Sequence, residues 1–97
     1  MAITMTMHWP GVTKEQYLAT LEAVNWEADP PKGVRFHVAS LGDDGFRVTD
    51  VWDSAEEFQN FVDTRLMAGT QKAGIQGQPN VIIGEVIRVF HPAYTAK

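Results

Sequence analysis

Gly33 to Phe58 reads GVRFHVASLGDDGFRVTDVWDSAEEF, and it decides the fold. Val34–Leu41 and Phe46–Trp52 are rich in β-branched and aromatic residues, as strands are. Between them Gly42-Asp43-Asp44-Gly45 is hairpin chemistry, because Gly45 can take a positive φ without steric cost. Two turn readings are open. A two-residue Asp44-Gly45 turn puts His37 on the same face as Asp50 and Trp52, with Trp52 opposite His37 and Asp50 on the diagonal. A three-residue loop with Gly45 at a bulge slips the register by one and sends His37 to the other face. The first is preferred. Ser54 then opens a helix, with Glu57 three residues on as its capping-box partner and Phe58, Phe61, Val62 and Leu66 along one face.

Outward from this hairpin, Ala2–His8 alternates Ile3, Met5 and Met7 with Thr4 and Thr6, a period-two strand that Pro10-Gly11 ends. Thr13 and Gln16 form a capping-box pattern, and Tyr17, Leu18, Leu21 and Val24 recur at helical spacing. This helix stops before Asp29-Pro30-Pro31-Lys32-Gly33, since consecutive prolines cannot sit inside a helix. Ala68–Asn80, rich in Gly and Gln, reads as a connection able to act as a lid. Val81–Phe90 reads as a last strand closed by Pro92. The order β-α-β-β-α-β with right-handed crossovers gives an α+β, ferredoxin-like fold. It predicts a four-stranded antiparallel sheet in the order 4-1-3-2 with both helices on one face, over residues 1–97 as one domain.

The last strand is apolar on both sides, Val81, Ile83, Ile87 and Val89 against Ile82, Val86 and Phe90. Helices cover only one face, so the open face is expected to be covered by a second copy, making a homodimer.

Composition narrows function by exclusion. A net charge of −4 argues against a nucleic-acid partner, which would need a basic face. With no cysteine there is no disulfide, thiol nucleophile or thiolate metal site. No apolar run spans a membrane and the amino terminus has no signal-peptide pattern, so a cytoplasmic location is expected. His8 and His91 fall at opposite ends of neighbouring antiparallel strands and His37 on the far edge strand, so no metal is expected. The glycines match neither a P-loop nor a dinucleotide fingerprint, and those at 69, 74 and 77 read as loop flexibility, while Gly84 marks a bulge or a close approach.

Chemistry-bearing residues concentrate in the hairpin. His37 can serve as a base near neutrality, and Asp50, out of place mid-strand, is either the partner of His37 in a pocket or a partner for Arg35 or Arg47. Trp52 offers a flat apolar body with one N–H, and Phe36 and Phe46 join it as candidate ligand contacts.

The run Gly33–Ala39, the run Val48–Ser54 leading into Glu57, Phe58 and Phe61, and Ile75-Gln76-Gly77-Gln78-Pro79 before an apolar strand together resemble the dimeric α+β barrel superfamily. Within it the chain resembles the small antibiotic-biosynthesis-monooxygenase-like domains. That resemblance implies a small apolar or aromatic ligand and no cofactor. It also implies an oxygenase in which the substrate supplies the electrons, with His37 as base, Asp50 as its orienter and Trp52 as a wall. The superfamily equally contains non-catalytic binding and stress-linked modules. The haem-degrading branch is set apart by an Asn on its first strand, where this chain offers Thr4, Thr6 and His8.

Overall fold

A computed structural model describes residues 1–92. The elements run β1 (Ile3–Trp9), α1 (Lys14–Ala23), β2 (Val34–Gly42), β3 (Gly45–Trp52), α2 (Ala55–Phe61), a π-helical turn over Val62–Leu66, α3 (Met67–Lys72) and β4 (Asn80–Glu85). The sheet is antiparallel in the order β2-β3-β1-β4, the expected 4-1-3-2 seen from its other edge. The fold is therefore α+β and ferredoxin-like.

Alternation along β1 buries Ile3, Met5 and Met7 toward the helices, where they join Val24, Trp52, Phe58 and Phe61 in one core. The first helix start forms the capping box its sequence predicts, and the second keeps only the serine half of one. The Thr13 hydroxyl accepts from Gln16 N–H while the Gln16 side chain accepts from Thr13 N–H, each at 3.1 Å. At the second start the Ser54 hydroxyl accepts from Glu57 N–H at 3.1 Å and donates to its carboxylate at 3.3 Å.

Several features differ from the sequence reading. The hairpin turn is Asp43-Asp44, one residue earlier, so Gly42 pairs with Gly45 and His37 stands directly opposite Asp50. His37 keeps the expected face, but its cross-strand neighbour is Asp50, not Trp52. The cause lies at Gly45, which has φ +119° and runs so close to the end of β1 that a Cβ would stand 2.6 Å from Trp9 O. Glycine is needed there as the first residue of β3, not inside the turn.

Helix α1 ends at Ala23, short of the expected limit, because Asn25 takes the left-handed conformation (φ 58°). Trp26 N–H reaches Leu21 O and Asn25 N–H reaches Glu22 O, both at 3.1 Å, the bonding of a Schellman motif with Asn in the usual Gly position. Leu18, expected on the buried face, is half exposed, and Thr20 is buried in its stead.

The stretch taken as a connection from Ala68 is helical to Lys72. Gly69 is a packing residue, since a Cβ there would lie 2.5 Å from Val24 Cγ1, and its absence lets α3 press on α1. Gly84, by contrast, makes the close approach its position suggested and not a bulge: it pairs in register with Thr4, whose Oγ1 lies 3.3 Å from where a Cβ would stand.

Strand β4 stops at Glu85 rather than Phe90, because β1 begins at Ile3 and offers no further partner once Val86 N–H has bonded Ala2 O at 3.0 Å. Its Val81 and Ile83 face the helix side and Ile82 the open side, as their pairing with Met7, Met5 and Thr6 requires. The open face is thus mixed. Thr4, Thr6 and Thr49 run along its centre, flanked by Phe36, Val38, Val51 and Ile82.

Candidate functional site

One hydrogen-bonded chain of four side chains crosses the helix-facing side of β2 and β3. His37 comes from β2 and Asp50 from β3, brought face to face by the hairpin register. A bulge at Arg35, between the pairs Val34–Trp52 and Phe36–Val51, restores the alternation so that Val34 and His37 both point to the core. His37 Nδ1 lies 2.6 Å from Asp50 Oδ1, and Trp52 Nε1–H donates to Asp50 Oδ2 at 3.0 Å. Asp50 is 3% exposed. As a carboxylate it accepts from both neighbours, which fixes the proton of neutral His37 on Nδ1.

The other ring nitrogen, Nε2, is 2.6 Å from the Tyr17 hydroxyl on α1. Burial, with Asp50 and then Glu27 nearby, pushes the Tyr17 phenol up to about 12. Below that pH Tyr17 carries its proton and donates to Nε2. The order of donation is therefore Tyr17 to His37 to Asp50, with Trp52 closing the far end. Trp26, folded back by the Asn25 turn, lies over His37 with ring centroids 4.6 Å apart, and Phe46 stacks on Tyr17 at 4.5 Å.

Tyr17, Trp26, His37, Phe46 and Asp50 line a cavity of about 60 Å³ between helices and sheet, its remaining wall mostly Met, Val, Leu and Phe. Trp9 also lines it. Its Nε1–H is buried and has no hydrogen-bond partner among the described residues, an arrangement that costs about 1–3 kcal/mol. A larger groove, about 390 Å³, opens between the α2–α3 segment and β4, and Met7, Trp9, Phe58, Leu66 and Ile75 belong to both.

Three of the five residues singled out from sequence, His37, Asp50 and Phe46, thus share one cavity. Trp52 does not line it: fully buried, it packs on Phe58 and Phe61 and holds Asp50 from below. The expectation of a ligand-facing wall is corrected to a support. Phe36 is on the opposite face of the sheet, because alternation places it one residue out of phase with His37. Sequence reasoning took Tyr17 as an apolar helix position and passed over Trp9 and Trp26. A Tyr hydroxyl on a helix face and an Asn able to end a helix in the left-handed conformation are both present in the sequence, but neither by itself points to His37.

Among the described residues no cluster of three or more His, Asp or Glu comes together, and no helix is long and apolar enough to cross a membrane.

No family model matches the chain, and no curated protein matches it. Solved structures do. A putative antibiotic biosynthesis monooxygenase from Chloroflexus aurantiacus superimposes with a TM-score of 0.67 at 13% identity, over 94% of this chain and 98% of that one. SnoaB, a cofactor-independent oxygenase from Streptomyces nogalater, gives 0.60 at 10% identity over 91% and 93%. A dimeric protein of unknown function and ferredoxin-like fold from Bacteroides fragilis gives 0.57 at 9% identity over 88% and 95%. By fold, then, this chain is a ferredoxin-like α+β protein of the kind built by antibiotic-biosynthesis-monooxygenase-like structures.

Proposed function

We propose that this protein binds a small aromatic molecule of the phenol or quinol type and oxidises it with dioxygen, without a cofactor of its own. The observation that carries the reading is the relay Tyr17–His37–Asp50 ending in an otherwise apolar cavity. Tyr17, not His37, presents the outermost oxygen, since His37 Nε2 is already occupied. A substrate phenol lays its ring in the adjoining groove of about 390 Å³ and only its hydroxyl in the inner cavity. It gives its proton to the Tyr17 oxygen as the Tyr17 proton passes to His37 Nε2, and the resulting imidazolium is held by Asp50. The electron-rich substrate anion reduces dioxygen. One oxygen atom stays on the ring carbon, and the other leaves as water with the two hydrogens lost from the substrate. The similar fold of SnoaB supports the reaction class.

The same reading takes residues 1–97 as one domain that pairs with a second copy through the open sheet face. Exposed Phe36, Val38 and Ile82 on that face support the pairing, as does the dimeric state of the Bacteroides fragilis protein.

The test is oxygen consumption with a panel of naphthols and hydroquinones. His37→Ala is expected to lose about 10²-fold or more of the wild-type rate. Asp50→Asn is expected to lose less, because the base survives without its orienter. A wild type no faster than uncatalysed autoxidation on every compound removes the oxygenase reading. It would leave a binding module, which the small cavity favours: about 60 Å³ lies well under the roughly 150 Å³ that admits benzene.

A further inference from the structure

The relay from Tyr17 to Asp50 can also move charge with no ligand present. Tyr17 O–H donates to His37 Nε2 and His37 Nδ1–H to Asp50 Oδ1, each across 2.6 Å. A phenol that loses an electron becomes a very strong acid, so its oxidation is easy only where a base already stands ready for the proton. His37 is that base, hydrogen-bonded to the oxygen before the electron leaves. Burial keeps the Tyr17 phenol protonated up to about pH 12, so electron and proton must leave together. The charges favour the same event. Asp50, 3% exposed, accepts from two neutral donors, His37 and Trp52. Once the Tyr17 proton sits on Nε2, His37 is an imidazolium, and the buried carboxylate gains the counter-ion that neutral His37 does not supply. Glu27 adds a second negative charge near Tyr17.

Position in the fold selects Tyr17 over the tryptophan at the other end. Trp52 also donates to Asp50, but it is wholly buried. Tyr17 is half-buried on α1, so an oxidant at the surface meets the relay at its outer end. We propose that Tyr17 is a redox-active tyrosine, which gives one electron to an oxidant at the protein surface while its O–H proton moves to His37 Nε2. The oxidant is of the class of organic peroxyl radicals, which become hydroperoxides by taking that electron and a proton from water. What remains in the protein is a neutral tyrosyl radical hydrogen-bonded to an imidazolium that Asp50 holds. An electron from a small reductant reverses the transfer, and the proton returns from His37 to the Tyr17 oxygen. This activity needs neither a phenol substrate nor dioxygen, so it goes beyond the oxygenase reading although it uses the same side chains.

The chain has two tyrosines, and Tyr94→Phe leaves Tyr17 alone as the parent for the test. Flash-generated tris(bipyridine)ruthenium(III) serves as the oxidant, and transient absorption separates a tyrosyl radical from a tryptophanyl one. The folded parent is expected to form the tyrosyl radical at a rate that slows in heavy water but does not change with phosphate concentration, because the proton acceptor is internal. In urea the same chain should react at a rate that rises with phosphate, whose dianion then takes the proton. His37→Ala should slow radical formation by about 10²-fold and bring back the phosphate dependence. Asp50→Asn should fall between the two, since it keeps the base and removes the charge. A radical on tryptophan alone overturns the proposal, and so does a His37→Ala rate equal to the parent's. A folded-state rate that climbs with phosphate as the unfolded one does overturns it as well, and this comparison decides the matter if His37→Ala does not fold. Phenol oxidation without a tyrosyl radical would keep the oxygenase reading and end this one; a tyrosyl radical without phenol oxidation would do the reverse.

Discussion

Tyr17 shows what a buried hydroxyl does to its neighbours. His37 and Asp50 were readable as residues of one sheet face, with Asp50 in need of a partner, but the preferred register set Trp52 opposite His37 and the observed one sets Asp50 there. Tyr17 was not readable as their neighbour, because its spacing on α1 is that of a core residue, and only the packing of α1 over β2 brings its oxygen to His37. Trp52 was mistaken for the opposite reason. Its N–H suggested a ligand, and the buried Asp50 takes it. The raised Tyr17 value has a measurable consequence. Phenol and protein agree below the unfolded value of 10.0, where both states are protonated. Between 10.0 and about 12 the unfolded chain has lost the proton and the folded one keeps it, so stability falls as pH rises across that window. An alkaline absorbance titration should show a phenolate transition near 12 that Tyr17→Phe removes. The mid-point of urea unfolding should drop more steeply across the window in the wild type than in the variant. A Tyr17 transition at the ordinary tyrosine value would contradict the burial argument.

Among the elements, the strands and both helix starts were legible because alternation and capping boxes are local signals. The helix ends were less so. Asn25 does the work usually assigned to glycine, and Gly69, which reads as a loop residue, sits inside α3 because Val24 needs the space. The π-helical turn at Val62–Leu66 has no sequence signature, yet it carries Arg65 to the loop after α1. There the guanidinium donates to Val24 O and to Asp29 O, the latter at 2.8 Å, and lies 5.6 Å from the Phe61 ring centroid. This clamp ties α2–α3 to the segment that holds Trp26 over His37. Arg65→Met keeps the apolar stem and removes the donors. We expect it to lower the unfolding free energy by about 1–3 kcal/mol, seen as a lower urea mid-point at an unchanged m-value. Amides 24–29 should exchange faster while those of β1 and β3 stay protected. Uniform acceleration through the sheet would mean that Arg65 supports the whole fold and not this loop.

At the scale of the whole molecule, the two-sided apolar character of the last strand was legible, but which of its side chains faces which way was not. Ile83, which alternation alone could have put on either side, faces the helices and lines the groove, whereas Ile82 stands on the open face at 72% exposure. Phe36 and Val38 flank the same face from β2, so apolar side chains border both edges while Thr4, Thr6 and Thr49 occupy the middle. Past Glu85 the chain continues with Ile87 and Phe90, 95% and 79% exposed, next to Phe36 and Val51. A lone chain would leave this apolar border in water; a second copy packed on the face would bury it and pair threonine hydroxyls across the centre. Ile82→Asp introduces a charge where only the partner can be affected, since the helix-side core does not reach it. The wild type is expected to scatter light as a dimer at micromolar concentration and Ile82→Asp as a folded monomer with unchanged far-ultraviolet dichroism. Ile83→Asp, by contrast, should destabilise the protomer itself, because its carboxylate would enter the groove among Met7, Val81 and Ile75. A wild type that is monomeric throughout that range would end the dimer reading. If Ile82→Asp stayed dimeric, the pairing would have to use a different face of the protein.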